Sequence, residues 1–375
     1  MANSRVSNPC SAKSTRRSNI LVICPYPEDE VPGQRLKYEQ YFPHLRASGF
    51  RITVSPFFGL FAYRRLYRPG YFLVKILATL YGYAKRTVQI VTLPFYDGVY
   101  VSLNVTPLGG PFFERLYRIA IRRMIFDIDD LIFLPRTTSQ NRIVSLLRGP
   151  KKHFYLMRVA NHVITCTPYL DTIVRKYNCR TSDISSTVNT DLYVSTNLYQ
   201  NDHRLVIGWS GSHSTVPYLR LLIPVLQRLR RRYDFSLFII GTADFAVEGI
   251  ESESRAWNRA TEVKDLQRID IGVYPLPEEE WVYGKSGLKA IQYMALGIPT
   301  VATAIGTNFR VIEDGVSGFL VRSEQEWEAR LGELICDPAL RARLGRNARN
   351  RVEKLYSVRV NEPVYREIFE TVFNN

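Results

Sequence analysis

Residues 284–303 constrain the fold more than any other part of the sequence. The segment contains a glycine-flanked loop, an amphipathic run and then the apolar residues 300–303. Apolar side chains recur at helical spacing, at Leu288, Ile291, Met294 and Ala295. Ser286 suits the N-cap of a helix, whereas Gly297 and Pro299 are typical of a helix end. The segment therefore predicts a loop, a helix of about three turns and a buried strand.

Two lysines lie at the start of this predicted helix. Lys285 precedes the N-cap and Lys289 falls in the first turn, where unpaired amides and the helix dipole already make the potential positive. That arrangement is unfavourable unless an anion binds there. The sequence therefore predicts a phosphate or diphosphate site at Lys285, Ser286, Gly287 and Lys289. Alternatively, both lysines point into solvent or pair with Glu278–Glu280.

Length and charge narrow the class of protein. A chain of 375 residues exceeds one ordinary hydrophobic core, so we expect two domains. Its 50 lysines and arginines against 35 acidic residues give a net charge of +15, which indicates nucleic acid, an anionic membrane surface or anionic small substrates as partners. The five cysteines are scattered without metal-ligand spacing, as is typical of reduced thiols in the cytoplasm.

Residues 57–93 interleave aromatic and aliphatic side chains with cations. The cations are Arg64, Arg65, Arg68, Lys75, Lys85 and Arg86. They interrupt the apolar runs, so we expect no membrane span. A helix of this composition suits the interface of an anionic membrane, and the alternative is an ordinary amphipathic helix pair packed on the first domain. RNA binding uses similar residues, but no RNA-recognition signature is present, and we expect no nucleic-acid partner.

The first half of the chain alternates apolar runs with helical patterns. Residues 19–24 predict a strand, residues 35–49 a helix and residues 51–54 the next strand. In such a βαβ unit, the loop before the helix lies at the carboxyl edge of the sheet, where open α/β folds bind ligands. Gly33 and Arg35 are therefore candidate contacts for a sugar or an anion. An exposed arginine in the first helical turn explains Arg35 equally well.

Three carboxylates follow the apolar strand at residues 124–126, namely Asp127, Asp129 and Asp130. Like charges this close repel, so a function or a partner cation must compensate. We favour contact with a sugar or an acceptor for Asp129 and Asp130. The alternatives are a divalent metal held by the DxD pattern, a helix cap or an arginine pair.

The second half repeats the combination of a strand, a small-residue turn and a helix. Residues 204–209 predict a strand that enters the turn 210–215, and a helix follows through residue 230. This turn predicts a second part of the anion site at Gly211, Ser212, Ser214 and Thr215. His213 is more typical of a hydrogen-bonding turn residue than of a catalyst.

The element order predicts an α/β fold with two Rossmann-like domains facing across a cleft. We expect a disordered basic arm over residues 1–18, which lacks the apolar core of a signal peptide. The first domain is predicted over 19–200 and the second over 201–355. Residues 356–375 are predicted to form a helix that packs back on the first domain.

These residues resemble the retaining, GT-B-fold glycosyltransferases of family 4. The resemblance is carried by residues 281–297, Pro299, Gly306, Asn308 and residues 314–319, and more weakly by Gly208, Trp209, Asp127 to Asp130 and Arg35. Within the family, the chain is most similar to a subgroup whose nucleotide-side helix begins with lysines and which lacks paired glutamates.

The resemblance implies transfer of a sugar from a nucleotide diphosphate sugar to a hydroxyl acceptor with retention. It places the acceptor on the first domain and the nucleotide sugar on the second, with catalytic roles for Asp129, Asp130 and Lys289. It implies no metal or other cofactor, because a helix dipole and cations stabilise the leaving diphosphate. The expected acceptor is a glycan or a lipid-linked glycan, reached from the cytoplasm at an anionic membrane surface.

Relatives carry two glutamates eight positions apart, and this chain has Gly284 and Gln292 there instead. The resemblance still gives Gln292 a hydrogen bond to a ribose hydroxyl, and Asp129 stands where relatives commonly have a histidine. The missing carboxylates motivate an alternative, a catalytically inactive nucleotide-sugar-binding partner of another glycosyltransferase. A dinucleotide-dependent oxidoreductase is disfavoured, because no G-x-G-x-x-G follows the first strand.

Overall fold

The computed structural model describes residues 17–134, 149–195, 203–212 and 214–374. These residues contain two sheets of six strands each, which confirms the predicted α/β fold with two Rossmann-like domains. The predicted basic arm, apart from its last two residues, and His213 lie outside the described residues.

The first sheet is built from the first half of the chain. Its strands are β1 (Asn19–Cys24), β2 (Arg51–Pro56), β3 (Gly98–Ser102), β4 (Met124–Asp127), β5 (His162–Thr165) and β6 (Thr181–Asp183). Their order is β2-β1-β3-β4-β5-β6, and every pairing is parallel. The sequence did not predict β6, because its three residues are polar and only half-buried.

The second sheet has a related layout. Its strands are β7 (Val206–Ser210), β8 (Ser236–Ile240), β9 (Ser252–Arg255), β10 (Ile271–Tyr274), β11 (Thr300–Thr303) and β12 (Phe319–Val321). Their order is β12-β11-β10-β7-β8-β9, again with parallel pairing throughout. The sequence did not predict the edge strand β9 either, because its residues Ser-Glu-Ser-Arg include no apolar side chain.

Helices cover the faces of both sheets. In the first half they are α1 (Pro32–Lys37), α2 (Phe42–Ala47), α3 (Leu60–Leu66), α4 (Phe72–Thr92), α5 (Phe112–Ala120), α6 (Lys151–Val159) and α7 (Pro168–Arg175). The later helices are α8 (Val216–Arg230), α9 (Glu262–Leu266), α10 (Leu288–Ala295), α11 (Asn308–Val311), α12 (Glu324–Cys336), α13 (Pro338–Leu355) and α14 (Val358–Phe373). Across the described ranges, no helix combines the length and apolarity that a membrane span requires.

Two predicted helices differ in detail from the structure. The helix predicted over residues 35–49 is divided into α1 and α2 by a 3-10 turn at Glu39–Tyr41. The prediction of Ser286 as an N-cap was wrong, because α10 begins at Leu288 and is preceded by Gly287 in the left-handed conformation, with a φ of 74°. The loop therefore ends one residue later than the side-chain pattern indicated, and a glycine suits that φ.

Side chains of β1 alternate between the two faces of the first sheet. Leu21 and Ile23 join the apolar cluster on one face, and Ile20 and Val22 join the cluster on the other. Both faces of this parallel sheet are therefore buried, as such sheets require.

Helix α14 follows the second domain in sequence but packs on the first sheet. The Tyr365 ring stacks on Tyr41 with centroids 4.1 Å apart, and the Tyr365 hydroxyl donates to the carbonyl of Lys37 at 3.0 Å. Phe369 lies against Phe50 and Tyr100, with centroid distances of 5.6 and 5.7 Å. The chain thus returns to its first domain and ties the two domains together at a second point.

We expect Phe369→Ala to destabilise the first domain strongly. Removing a buried phenylalanine costs about 3–5 kcal/mol, and each kcal/mol lowers the midpoint of thermal unfolding by about 2–4 °C for a domain of this size. Calorimetry of the full chain measures this shift. Val360→Ala is the control, because Val360 lies on the same helix with an exposed side chain. Equal midpoints for the two variants would show that α14 contributes little to the first domain.

Candidate active-site cleft

The carboxyl edges of the two sheets face each other across a cleft of about 440 Å³. Ten of the predicted site residues line it, namely Gly33, Asp129, Asp130, Gly211, Ser212, Thr215, Lys285, Ser286, Gly287 and Lys289. A larger cavity of about 640 Å³ adjoins the cleft, but its lining residues include none of the predicted ones. The sequence patterns from both halves of the chain therefore meet in the smaller cavity.

The three clustered carboxylates have three different environments. Asp127 is buried 3.7 Å from the ammonium group of the buried Lys37. Asp130 accepts from the ammonium group of Lys285 at 2.6 Å, and its other oxygen accepts from the backbone N–H of Leu131 at 2.8 Å. The partner cation that the sequence required is therefore present for two of the three. Because Lys285 belongs to the second domain, the pair of Lys285 and Asp130 spans the cleft.

Asp129 lines the cleft together with Asp130 but is not paired with any lysine that the structure describes. It lies beside Gly33, since a Cβ placed on that glycine would be 3.8 Å from the Asp129 carboxylate. Among the described residues, the structure gives its carboxylate no hydrogen-bond partner. Burial, together with the charges of Asp130 and Asp127, raises the pKa of Asp129 to about 6. This group can accept a hydrogen bond or a proton near neutral pH.

Lys289 lies in the first turn of α10, on the wall of the cleft. Its ammonium group donates to the side-chain oxygen of Gln292 at 3.1 Å. Burial lowers the pKa of Lys289, and the nearby carboxylate of Glu262 acts in the opposite direction. The ammonium group of Lys289 therefore has hydrogen-bonding capacity left for a ligand. It lies at the positive end of a helix, where an anion is stabilised.

Glu262 was not predicted, although it organises the residues behind Lys289. Its buried carboxylate accepts from Arg35, from the indole N–H of Trp257 at 3.1 Å and from the amide of Gln292 at 3.1 Å. Burial acts to raise the pKa of Glu262, but Arg35 and Lys289 outweigh it and hold the pKa below its ordinary value. No local pattern could reveal this residue, because it starts a five-residue helix after a polar loop.

Arg35 and Gln292 do not line the cleft in this structure. Arg35 pairs across the domains with Glu262, so the structure gives it an ion pair in place of an open position for an acceptor. Gln292 is fully buried, and its amide donates to Glu262 and to the Tyr193 hydroxyl at 2.8 Å. The contact between Gln292 and a ribose stays a prediction. In the structure, Gln292 positions Lys289.

A side chain at residue 284 would clash with the first domain in this structure. A Cβ on Gly284 would lie 2.9 Å from the backbone nitrogen of Leu131 and 2.7 Å from its side chain. The thiol of Cys166 also approaches the Gly284 carbonyl, at 3.6 Å. The first domain therefore occupies the space that a longer side chain at this position would need.

The turn after β7 has its own internal hydrogen bonds. The N–H of Ser212 donates to the Thr215 hydroxyl at 2.8 Å, and the hydroxyls of Ser212 and Ser214 are 2.9 Å apart. Ser214 is not among the residues that line the cleft. Across the cleft, Ser186 and Ser286 share a hydrogen bond of 2.8 Å between their hydroxyls. Polar groups from both domains therefore surround the lysines.

Within the described residues, no group of three or more histidine, cysteine or acidic side chains could hold a metal ion. In particular, Asp127 and Asp130 each pair with a lysine.

Part of the second domain is similar to a known protein family. Residues 204–337 match the family described as Glycosyl transferases group 1. The D-inositol 3-phosphate glycosyltransferase of Stackebrandtia nassauensis is 41% identical over 64 residues, a match that covers 16% of this chain and 14% of that protein. The sequence match to this relative is therefore confined to a small part of both chains.

Solved structures resemble the whole chain. Sucrose-phosphate synthase from Thermosynechococcus elongatus superimposes with a TM-score of 0.70 at 15% identity, covering 96% of this chain and all of that one. Anabaena HepE in complex with UDP and glucose gives a TM-score of 0.63 at 15% identity, covering 94% of this chain and 99% of that one. At these identities the likeness concerns the fold, and it confirms the predicted GT-B arrangement.

We expect Asp129→Asn to stabilise the protein more at about pH 8 than at about pH 4. The folded-state pKa of about 6 exceeds the ordinary value of 3.8. The stability that the protonated carboxyl provides is therefore complete below the ordinary pKa and is lost as the pH rises through about 6. The asparagine variant does not ionise and avoids this loss.

Thermal unfolding of both proteins across this pH range measures the difference. Asp244→Asn serves as the control, since Asp244 is exposed and outside the cleft. A difference between Asp129→Asn and wild type that does not change with pH would contradict the assigned pKa.

Proposed function

We propose that this protein is a glycosyltransferase that moves a sugar from a nucleotide diphosphate sugar to a hydroxyl acceptor. The observation that carries the proposal is the convergence of Lys285, Lys289 and the starts of α8 and α10 on one cleft between two domains. The match of residues 204–337 to group 1 glycosyl transferases supports it. Structural neighbours with UDP and UDP-glucose bound suggest UDP as the first nucleotide to test.

The donor diphosphate would bind at Lys285, Lys289 and the loop between them. Breaking the bond between the anomeric carbon and the phosphate oxygen leaves additional negative charge on the diphosphate. Ammonium groups and a helix start bind this charge more strongly in the transition state than in the ground state, which lowers the barrier. We propose that these groups suffice without a metal ion.

A phosphate bound at Lys285 would compete with Asp130, which holds this lysine at 2.6 Å.

The acceptor would approach from the first domain beside Gly33 and Asp129. The Asp129 carboxylate would orient its hydroxyl through a hydrogen bond. The acceptor oxygen then forms the new bond to the anomeric carbon with retention of configuration, and its proton leaves to the departing diphosphate. A glycan or a lipid-linked glycan is the proposed acceptor.

We expect Lys289→Ala to weaken UDP binding by about tenfold to a hundredfold, the range for loss of a hydrogen bond to a charged group. Isothermal titration with UDP measures the affinity. Lys354→Ala is the matched control, because Lys354 is exposed on α13 and outside the cleft. Thermal unfolding checks that both variants are folded. Unchanged affinity in a folded Lys289→Ala variant would remove this lysine from the donor site.

Slow hydrolysis of UDP-glucose tests catalysis without knowledge of the acceptor, because water can replace the acceptor hydroxyl. We expect release of UDP and, with retention, α-glucose as the first anomer seen by proton NMR. Early appearance of β-glucose would contradict retention. Binding of UDP-glucose without release of UDP, in water or with added alcohols, would favour the inactive nucleotide-sugar-binding partner. The lost glutamates motivate that alternative, and no observation in the structure favours it.

A further inference from the structure

Helix α4 exposes apolar side chains and buries a charged one, which is the reverse of a helix on a water-exposed surface. Its buried residues are Gly82 and Arg86. Its exposed large apolar side chains are Phe72, Leu73, Ile76, Leu77, Leu80, Tyr81, Val88 and Val91. They recur at helical spacing and form one stripe along the helix. The apolar stripe faces outward and the charged residue faces the core.

The contacts of Arg86 fix this orientation. Its guanidinium donates to the carbonyl of Val105 at 3.0 Å, to the hydroxyl and carbonyl of Ser55 at 2.9 and 3.0 Å, and to the carbonyl of Cys24 at 3.2 Å. Gly82 packs so closely that a Cβ there would lie 2.5 Å from the Phe57 ring. Rotating α4 to bury its apolar stripe would break these hydrogen bonds and create a clash. The outward stripe is therefore a property of the folded state.

The elements that contact α4 carry further exposed apolar side chains, and we call these together with the α4 stripe the α4 surface. Phe61 lies on α3, Tyr67 follows α3, Phe95 follows α4, and Phe112 and Ile119 lie on α5. Phe72 and Phe95 are each 79% exposed. Large apolar side chains exposed in such number on neighbouring elements are typical of an interaction site.

The charged residues of α3, of α4 and of the segment between them are all basic. Between Glu39 and Asp97 the sequence contains no acidic residue. Arg64, Arg68 and Lys75 lie on or between α3 and α4, and Arg64 lies 4.0 Å from Glu30 of the loop before α1. Pairing two copies of this face across a two-fold axis would bring these cations together without carboxylates to match them. An anionic surface with an apolar interior complements both features.

We infer that the α4 surface lies in the headgroup region of an anionic lipid bilayer, with the α4 stripe reaching the acyl boundary and the basic residues contacting lipid phosphates. Exposed aromatic and aliphatic side chains supply apolar area to such an interface, and adjacent cations add electrostatic attraction. The inference rests on the proposed function in one respect, since it supplies the surface on which a lipid-linked acceptor would be presented. The docking itself is independent of the chemistry in the cleft.

Flotation of the full chain with vesicles tests the inference. We expect binding to vesicles of phosphatidylcholine mixed equally with phosphatidylglycerol, and much weaker binding to phosphatidylcholine alone. Each cation near the anionic surface contributes about fivefold to binding at low salt, so recovery with vesicles should fall as the salt concentration rises. Recovery that does not depend on phosphatidylglycerol or on salt would overturn the electrostatic part of the inference.

Variants locate the docking face. Leu77→Glu and Leu80→Glu are each expected to weaken vesicle binding by about tenfold, because a charge replaces apolar area in the interface. Leu192→Glu is the matched control, since Leu192 is 65% exposed and lies away from α4, while Leu77 is 60% exposed. Equal vesicle binding by all three variants would overturn the assignment of the α4 surface.

Two further measurements complete the test. Sedimentation velocity without vesicles is expected to show that the α4 surface does not mediate self-association. Self-association of the wild type that is lost in Leu77→Glu would assign the face to a second copy of the chain. UDP titration of Leu77→Glu is expected to match wild type, because α4 contributes no residue to the cleft. Loss of vesicle binding with intact UDP affinity would therefore support the docking surface, whereas absence of UDP binding in wild type would contradict the proposed function alone.

Discussion

The close approach of Gly284 to the backbone of Leu131 sets the geometry of the cleft. With no side chain at residue 284, the loop before α10 can lie directly against the end of the first sheet. This approach brings Lys285 within 2.6 Å of Asp130 and the Ser286 hydroxyl within 2.8 Å of Ser186. Gly284, which stands where relatives have a glutamate, is thus the residue at which the two domains can come into contact.

The charges at the cleft are shared between the domains. Lys285 of the second domain pairs with Asp130 of the first, and Arg35 of the first pairs with Glu262 of the second. Buried or half-buried charges are costly without such partners. An anion that bound Lys285 would therefore compete with Asp130 for this lysine.

At the outer face of the first domain, a charged side chain is buried and apolar side chains are exposed. Arg86 is buried with its guanidinium satisfied by backbone carbonyls, and this forces the apolar stripe of α4 outward. At the cleft, polar groups line the cavity, whereas on α4 the charged Arg86 is turned inward. The two surfaces therefore suit partners of different chemistry, an anionic small molecule at one and an apolar, anionic interface at the other.

The sequence by itself determined the fold class and most of the cleft. Apolar runs mark the buried strands, and small residues with Lys285 and Lys289 mark a helix start, because these patterns depend on neighbours along the chain. Tertiary structure alone decided the role of Glu262, the burial of Gln292, the ion pair of Arg35 and the outward stripe of α4. These depend on residues that are distant in sequence and meet only after folding. Periodicity shows that a helix has an apolar face, and the packing around it decides whether that face is buried.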